Sequence, residues 1–250
     1  MRRAALIGIL FFLATIASLV AEAPESPELT ISQGSEVEPG GVLTVDLVSD
    51  APLEQVTAVL LDGETVLADN HGSRVGKHED GREEWVVLLG IASTIRPGEY
   101  ALRLHSVPEG LAVGGTVTVS ERSFAREEIP LSTTISELRR GQSAEKRQEA
   151  LEMIALTRTF NDEAIYWVRD FVLPVESRRR TSGYGDRRRF LYADGGEARS
   201  IHNGIDLAAD EGTPVYAPGS GRVVFAEMRI VTGNSVVIEH FPGVYGLFYI

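Results

Sequence analysis

The sequence predicts a mainly β protein, built as an N-terminal immunoglobulin-like β-sandwich, a helical connector and a C-terminal antiparallel β region. Three observations predict it. Short runs of alternating apolar and polar residues recur between Leu29 and Glu121, separated by turn signals such as Asp62-Gly63 and Pro97-Gly98. After Arg122 a helical pattern replaces them, with Ser143 as an N-cap. From Ser177 onward, Gly212, Gly219, Gly221, Gly233 and Gly243 punctuate short runs rich in Val and Ile, as turns between strands would.

Composition narrows the function classes. A chain of 250 residues has room for more than one domain. With 43% hydrophobic and 24% charged residues it has ample core material and no signature of general disorder. The net charge of −12 argues against nucleic acid and anionic membrane surfaces as partners. Basic residues are nonetheless uneven, 17 of the 24 Lys and Arg lying after Glu121. The absence of cysteine excludes disulfides, zinc–thiolate sites, thiol nucleophiles and an acylated N-terminal cysteine.

In chain order, residues 1–23 read as a secretory signal. Arg2 and Arg3 supply the positive start, Ala4 to Val20 an uncharged apolar run, and Ala21-Glu22-Ala23 a small-x-small cleavage pattern, with Pro24 a blemish after it. Left uncleaved, the run is near the length of a membrane span and would anchor the chain in the inner membrane. Either way, the remaining chain is expected outside the cytoplasm, in the periplasm or cell envelope. Ala23 to Glu28, with two prolines, is an extended linker.

Residues 29–121 form the predicted sandwich. Candidate strands are Gly41–Val48, Val56–Leu61, Thr65–Ala68, Glu84–Leu89, Glu99–His105 and Thr116–Ser120. Leu43, Val45 and Leu47 share one face, as do Tyr100, Leu102 and Leu104, and Val117 with Val119. The stretch His71 to Asp80 holds two histidines and two acids; it reads as an exposed polar hairpin loop in preference to a metal site, because Gly and Lys give no rigid ligand geometry. His105 has no evident role.

Residues 122–176 form the connector. A helix over Ala144–Phe160 places Leu151, Ile154, Ala155 and Arg158 on one narrow side, which favours a spacer. Val168–Val175 reads as a strand entering residues 177–250. The basic runs Arg178–Arg180 and Arg187–Arg189 are either solvated loop or a means of holding substrate carboxylates.

The chemistry concentrates in Ser200 to Ala209. Read as one extended strand, it places His202, Gly204 and Asp206 on one face and Ile201, Ile205 and Leu207 on the other. Imidazole nitrogen and carboxylate oxygen are ordinary zinc ligands, and Gly204 leaves space between them. The competing reading is a buried His–Asp hydrogen-bonded pair.

His202-Asn203-Gly204-Ile205-Asp206 is followed by Gly212-Thr213-Pro214-Val215, then Gly219 to Ala226, then Gly233 to His240, and preceded by Ser182-Gly183-Tyr184-Gly185-Asp186-Arg187. This ordered series, over about residues 177–250, resembles the lysostaphin/LytM-type zinc metallopeptidases, which cut peptide bonds in peptidoglycan. The resemblance implies an antiparallel β groove, Zn2+ held by His202 and Asp206, and metal-assisted hydrolysis of peptidoglycan stem peptides. It places Arg187 at the family's Gly-x-Arg position and Tyr184 in the substrate groove, where an aromatic packed on a glycine turn is the alternative. Strands are expected at Val215–Ala217, Arg222–Ala226, Ser235–Glu239 and Val244–Ile250. The family completes its site with a Tyr-x-His segment and a later His-x-His, whereas this chain stops at Phe248-Tyr249-Ile250. The third ligand and the catalytic residues are therefore expected beyond Ile250, and the chain alone is expected to bind zinc weakly without hydrolysing murein. His240 is expected to be structural. The alternatives are a non-catalytic, peptidase-like regulator that recruits or activates another hydrolase, and a wall-binding protein dominated by its sandwich.

Overall fold

Alternation in the N-terminal half becomes two sheets closed on a common core. The computed structural model describes residues 29–77, 79–107, 113–141, 143–166 and 171–250. The signal run, the linker and His78 lie outside them. The first nine strands are β1 (Leu29–Gln33), β2 (Glu36–Val37), β3 (Val42–Ser49), β4 (Gln55–Asp62), β5 (Thr65–His71), β6 (Ser73–Lys77), β7 (Glu83–Gly90), β8 (Gly98–Val107) and β9 (Val113–Val119). One sheet has the order β1-β3-β7-β6 and the other β2-β9-β8-β4-β5. Leu43, Val45 and Leu47 of the first sheet and Leu60, Leu102, Leu104, Val117 and Val119 of the second belong to one buried cluster. Each fully buried Leu or Val contributes about 1.5–3 kcal/mol relative to exposure. The period-two faces of β3, β8 and β9 point inward as the sequence predicts.

The stretch from His71 to Asp80 is not a free loop. His71 ends β5 and residues 73–77 form edge strand β6, paired with β7. Gly72 lets the chain step from one sheet to the other: a Cβ there would sit 3.0 Å from Val87 Cγ2 and 3.2 Å from Val56 Cβ. Polar composition hid the strand, because an edge strand exposes much of its side-chain surface. His71 Nδ1 lies 2.9 Å from Gln55 Nε2 and 3.1 Å from Thr57 Oγ1, so ordinary hydrogen bonds account for it.

After the sandwich come β10 (Arg126–Pro130), α1 (Thr133–Arg140) and α2 (Ala144–Thr157). The cap of α2 is as predicted: Ser143 Oγ accepts from Lys146 N at 3.2 Å. Its buried residue is Met153, while Leu151 and Ile154 of the expected stripe are exposed. The helix is held by polar contacts, Ile230 N–H donating to the Glu149 carboxylate and Tyr245 Oη donating to Thr159 O just beyond its end, so it is docked and is not a simple spacer. Helix α1 was not predicted, although Ser132 caps it and Arg139-Arg140-Gly141 closes it. No strand occupies the described part of Val168–Val175. Pro174 has no N–H to donate there, and its carbonyl accepts from Tyr216 N at 2.8 Å.

The C-terminal strands are β11 (Arg180–Ser182), β12 (Arg187–Leu191), β13 (Glu197–Ile201), β14 (Asp206–Leu207), β15 (Arg222–Arg229), β16 (Gly233–Phe241) and β17 (Val244–Tyr249). They form a β10-β12-β13 sheet, a β11-β14 pair and a β15-β16-β17 antiparallel sheet. Val215–Ala217 is not a strand, since Pro214 and Pro218 bracket it and remove two donors. Among the described residues no helix is long and apolar enough to cross a membrane.

Two glycines seat the C-terminal strands on the sandwich. A Cβ on Gly40 (φ +84°) would lie 2.5 Å from the Tyr184 ring, and one on Gly185 (φ +86°) would lie 2.1 Å from the Phe124 ring. Gly185→Ala combines left-handed strain with that overlap and is expected to cost about 2 kcal/mol or more. Thermal unfolding of the variant against the parent checks this.

Candidate functional site

Four short segments converge on His202. The β12–β13 hairpin pairs Arg187 with Ile201, so His202 emerges beside the turn that precedes β12. Two backbone bonds extend the ladder past the hairpin: His202 N–H donates to Asp186 O at 2.9 Å, and Gly185 N–H donates to His202 O at 2.7 Å. The β11–β14 pair then sets Ser182 opposite Asp206.

The single extended strand expected from 200 to 209 is broken. Strand β13 ends at Ile201, residues 202–205 loop, and β14 begins at Asp206. The break matters, because residues four apart on a continuous strand lie about 13 Å apart. Looping brings His202 Nε2 within 3.2 Å of Asp206 Oδ1. Gly204 does leave space, since a Cβ there would approach only His202 Nε2, at 3.8 Å.

Hydrogen bonding fixes the imidazole. Its Nδ1 lies 2.9 Å from Gly183 O and 3.2 Å from Ser182 Oγ. A carbonyl can only accept, so Nδ1 carries a proton and donates to Gly183 O, which leaves Nε2 directed at Asp206. At this distance Nε2 and Oδ1 can share a proton or hold a cation between them. The edge of a tetrahedron with ligand bonds of about 2.0–2.1 Å is about 3.3 Å, so the pair has the spacing of two ligands to one zinc ion. The Nδ1–carbonyl contact is the usual outer support of a metal-binding histidine. The imidazole is largely covered, while the Asp206 side chain keeps 49% of its exposure, so the open side faces solvent. The donor set is compatible with a divalent cation, with His202 Nε2 and Asp206 Oδ1 as the two atoms that could hold it. Among the described residues no group of three or more His, Asp or Glu side chains is assembled for a metal.

Residues that the sequence did not single out support the pair. Asp186 is buried, and its carboxylate accepts from Gly183 N–H at 2.6 Å, Ala125 N–H at 3.1 Å and Ser182 Oγ at 3.3 Å. The Gly183 bond is the main cause that holds its carboxyl below the usual range; burial opposes this, and the Ala125 bond, Ser182 and the nearby His202 reinforce it. Arg188 donates from Nη2 to Asp206 Oδ2 at 2.6 Å and from Nε to Glu127 Oε2 at 3.0 Å. Burial works to lower the Arg188 pKa, but the bonds to Asp206 and Glu127 outweigh it and raise it. Ser182 Oγ lies 3.0 Å from Glu127 Oε1.

The Arg187–Arg189 run is paired, residue by residue. Arg188 joins Glu127, and Arg189 joins Glu128 and Glu197. Strand β10 runs parallel to β12 with Glu127 opposite Arg188 and Glu128 opposite Arg189. Arg187, expected at substrate, instead donates from Nη2 to Ser93 O at 2.7 Å and from Nη1 to Ser93 Oγ at 3.2 Å, beneath the Phe124 ring. Tyr184 packs on Gly40, the glycine-turn alternative. Neither side chain has a hydrogen bond to His202 or Asp206 among the described residues. His240 is buried, with Nδ1 2.7 Å from Ser220 O and its ring edge-on to Phe171. It is not part of the His202 constellation.

Residues 200–250 match the sequence pattern of Peptidase family M23. This C-terminal segment is of the LytM peptidase type. The chain is also similar to two proteins of Vibrio cholerae serotype O1. It is 43% identical over 67 residues to the peptidoglycan DD-endopeptidase ShyA, a match covering 27% of this chain and 15% of that protein. It is 37% identical over 70 residues to the peptidoglycan DD-endopeptidase ShyB, covering 27% of this chain and 16% of that protein. The matched segment thus spans about a sixth of each relative. The M23 segment contains His202, Asp206 and the β15-β16-β17 sheet, whereas Glu127, Ser182, Asp186 and Arg188 lie before it.

Proposed function

We propose that this chain belongs to a zinc-dependent cell-wall endopeptidase that hydrolyses peptide cross-links of peptidoglycan in the cell envelope. The observation that carries the reading is His202 Nε2 lying 3.2 Å from Asp206 Oδ1, within a segment of M23 sequence. His202 and Asp206 would hold the ion. A zinc ion with an open coordination position lowers the pKa of bound water to about 7 and polarises a carbonyl oxygen. His202 would contribute Nε2, whose direction the Nδ1 contact with Gly183 O fixes. Asp206 contributes negative charge, with Oδ2 tied by Arg188 so that Oδ1 stays directed at the imidazole. Arg187 and Tyr184 act in this reading as the joint to the sandwich. The signal-like pattern of residues 1–23 and the likeness to peptidoglycan endopeptidases support an envelope location, where such a substrate lies.

The test is metal content and peptidoglycan digestion by the full-length protein. Digestion that a chelator abolishes and zinc restores is the expected result. Digestion that survives complete metal removal, or zinc binding that is unchanged in both His202→Ala and Asp206→Ala, would overturn the reading.

A further inference from the structure

We infer that Glu127, on β10 of the connector, is a positioning residue for the metal site and sets its affinity through Arg188. The inference rests on the metal reading of His202 and Asp206.

The contacts form a closed ring. Asp206 Oδ2 accepts from Arg188 Nη2, Arg188 Nε donates to Glu127 Oε2, Ser182 Oγ bonds Glu127 Oε1, and Ser182 Oγ lies 3.2 Å from His202 Nδ1. Glu127 therefore touches the outer support of both donors, the aspartate through a guanidinium and the histidine through a hydroxyl. Its position opposite Arg188 in the parallel β10–β12 register holds it there.

Charge makes the role directional. Arg188 alone would place a positive charge one carboxylate away from a divalent cation and oppose its binding. The Glu127 carboxylate at 3.0 Å cancels that charge, leaving a neutral unit that still orients Asp206. The Arg188 side chain is only 18% exposed and that of Glu127 27%, so water screens the pair incompletely. Removing the Glu127 charge unmasks the guanidinium and frees its Nε together, and both effects weaken metal binding.

The experiment titrates Zn2+ into the full chain against a chromophoric chelator and records the Co2+ ligand-field spectrum. Glu127→Gln is expected to weaken Zn2+ binding about tenfold, the usual loss when an outer support of a ligand is removed. It should also shift the Co2+ band, because Asp206 is reoriented. Adding Arg188→Gln to Glu127→Gln is expected to recover the part of the lost affinity that the unmasked charge cost, though not the part that orientation of Asp206 supplied. A purely structural role for Glu127 predicts no such recovery. If Glu127→Gln does not fold, Arg188→Lys is measured instead; it keeps the charge, loses the planar fork that spans both carboxylates, and is expected to weaken binding likewise. Parent protein that binds Zn2+ in a His202-dependent manner, with Glu127→Gln or its substitute within twofold of it, overturns the inference and leaves the metal reading standing. Parent protein whose Zn2+ binding does not depend on His202 overturns both.

Discussion

His202→Ala is expected to lower zinc affinity by at least about 100-fold, beyond what loss of an outer-shell support costs. The variant removes one of only two protein donors that the described residues bring together, and Asp206 Oδ1 then faces open space. It also leaves Gly183 O and Ser182 Oγ without the imidazole, a stability cost of about 1–2 kcal/mol. The fold should survive, because the backbone bonds that hold residue 202, to Asp186 O and from Gly185 N–H, do not involve the side chain. Chelator-competition titration measures the affinity, and circular dichroism with thermal unfolding separates lost binding from lost structure. Zinc retained at one equivalent by folded His202→Ala would remove the imidazole from the site.

Asp186→Ala is expected to destabilise the protein by about 3 kcal/mol, because one buried carboxylate serves three donors, and the backbone N–H groups of Gly183 and Ala125 lose their acceptor. The turn from Ser182 to Asp186 would loosen, and with it the Gly183 carbonyl that aims His202, so metal affinity should fall too. A pH dependence follows. The folded-state pKa of Asp186 lies below its ordinary value, so the unfolded chain takes up the proton first on acidification. Its stabilisation is complete above the ordinary aspartate value of about 3.9 and is lost as pH falls below that value through the folded pKa. Denaturant unfolding between about pH 3 and pH 7 should show this acid loss in the parent and less of it in Asp186→Asn. An identical acid slope in the two proteins would show that Asp186 titrates as it does in the unfolded chain.

Local pattern made much of the fold legible. Leu43, Val45 and Leu47 alternate with polar neighbours, and they are the buried face of β3. Ser143 caps α2 because a hydroxyl three residues before an amide is a local relation. Edge strand β6 and helix α1 were harder, since little of their side-chain surface is buried and periodicity carries little signal there. Leu151 and Ile154 misled, because apolar spacing alone does not say which side of α2 another element will cover.

By itself the sequence determined the chemical types at the candidate site, a histidine and an aspartate four residues apart, and the LytM resemblance that gives them meaning. Only the tertiary structure decided that Gly183 O accepts from Nδ1–H, that a loop turns Nε2 toward Asp206 Oδ1, and that Arg187 turns away to Ser93. It alone brought Glu127 to Arg188 across 61 residues of chain. The reason is physical: periodicity and capping are relations between near neighbours in sequence, whereas hydrogen-bond partners across a parallel strand pair depend on register, which no local pattern in β10 or β12 specifies.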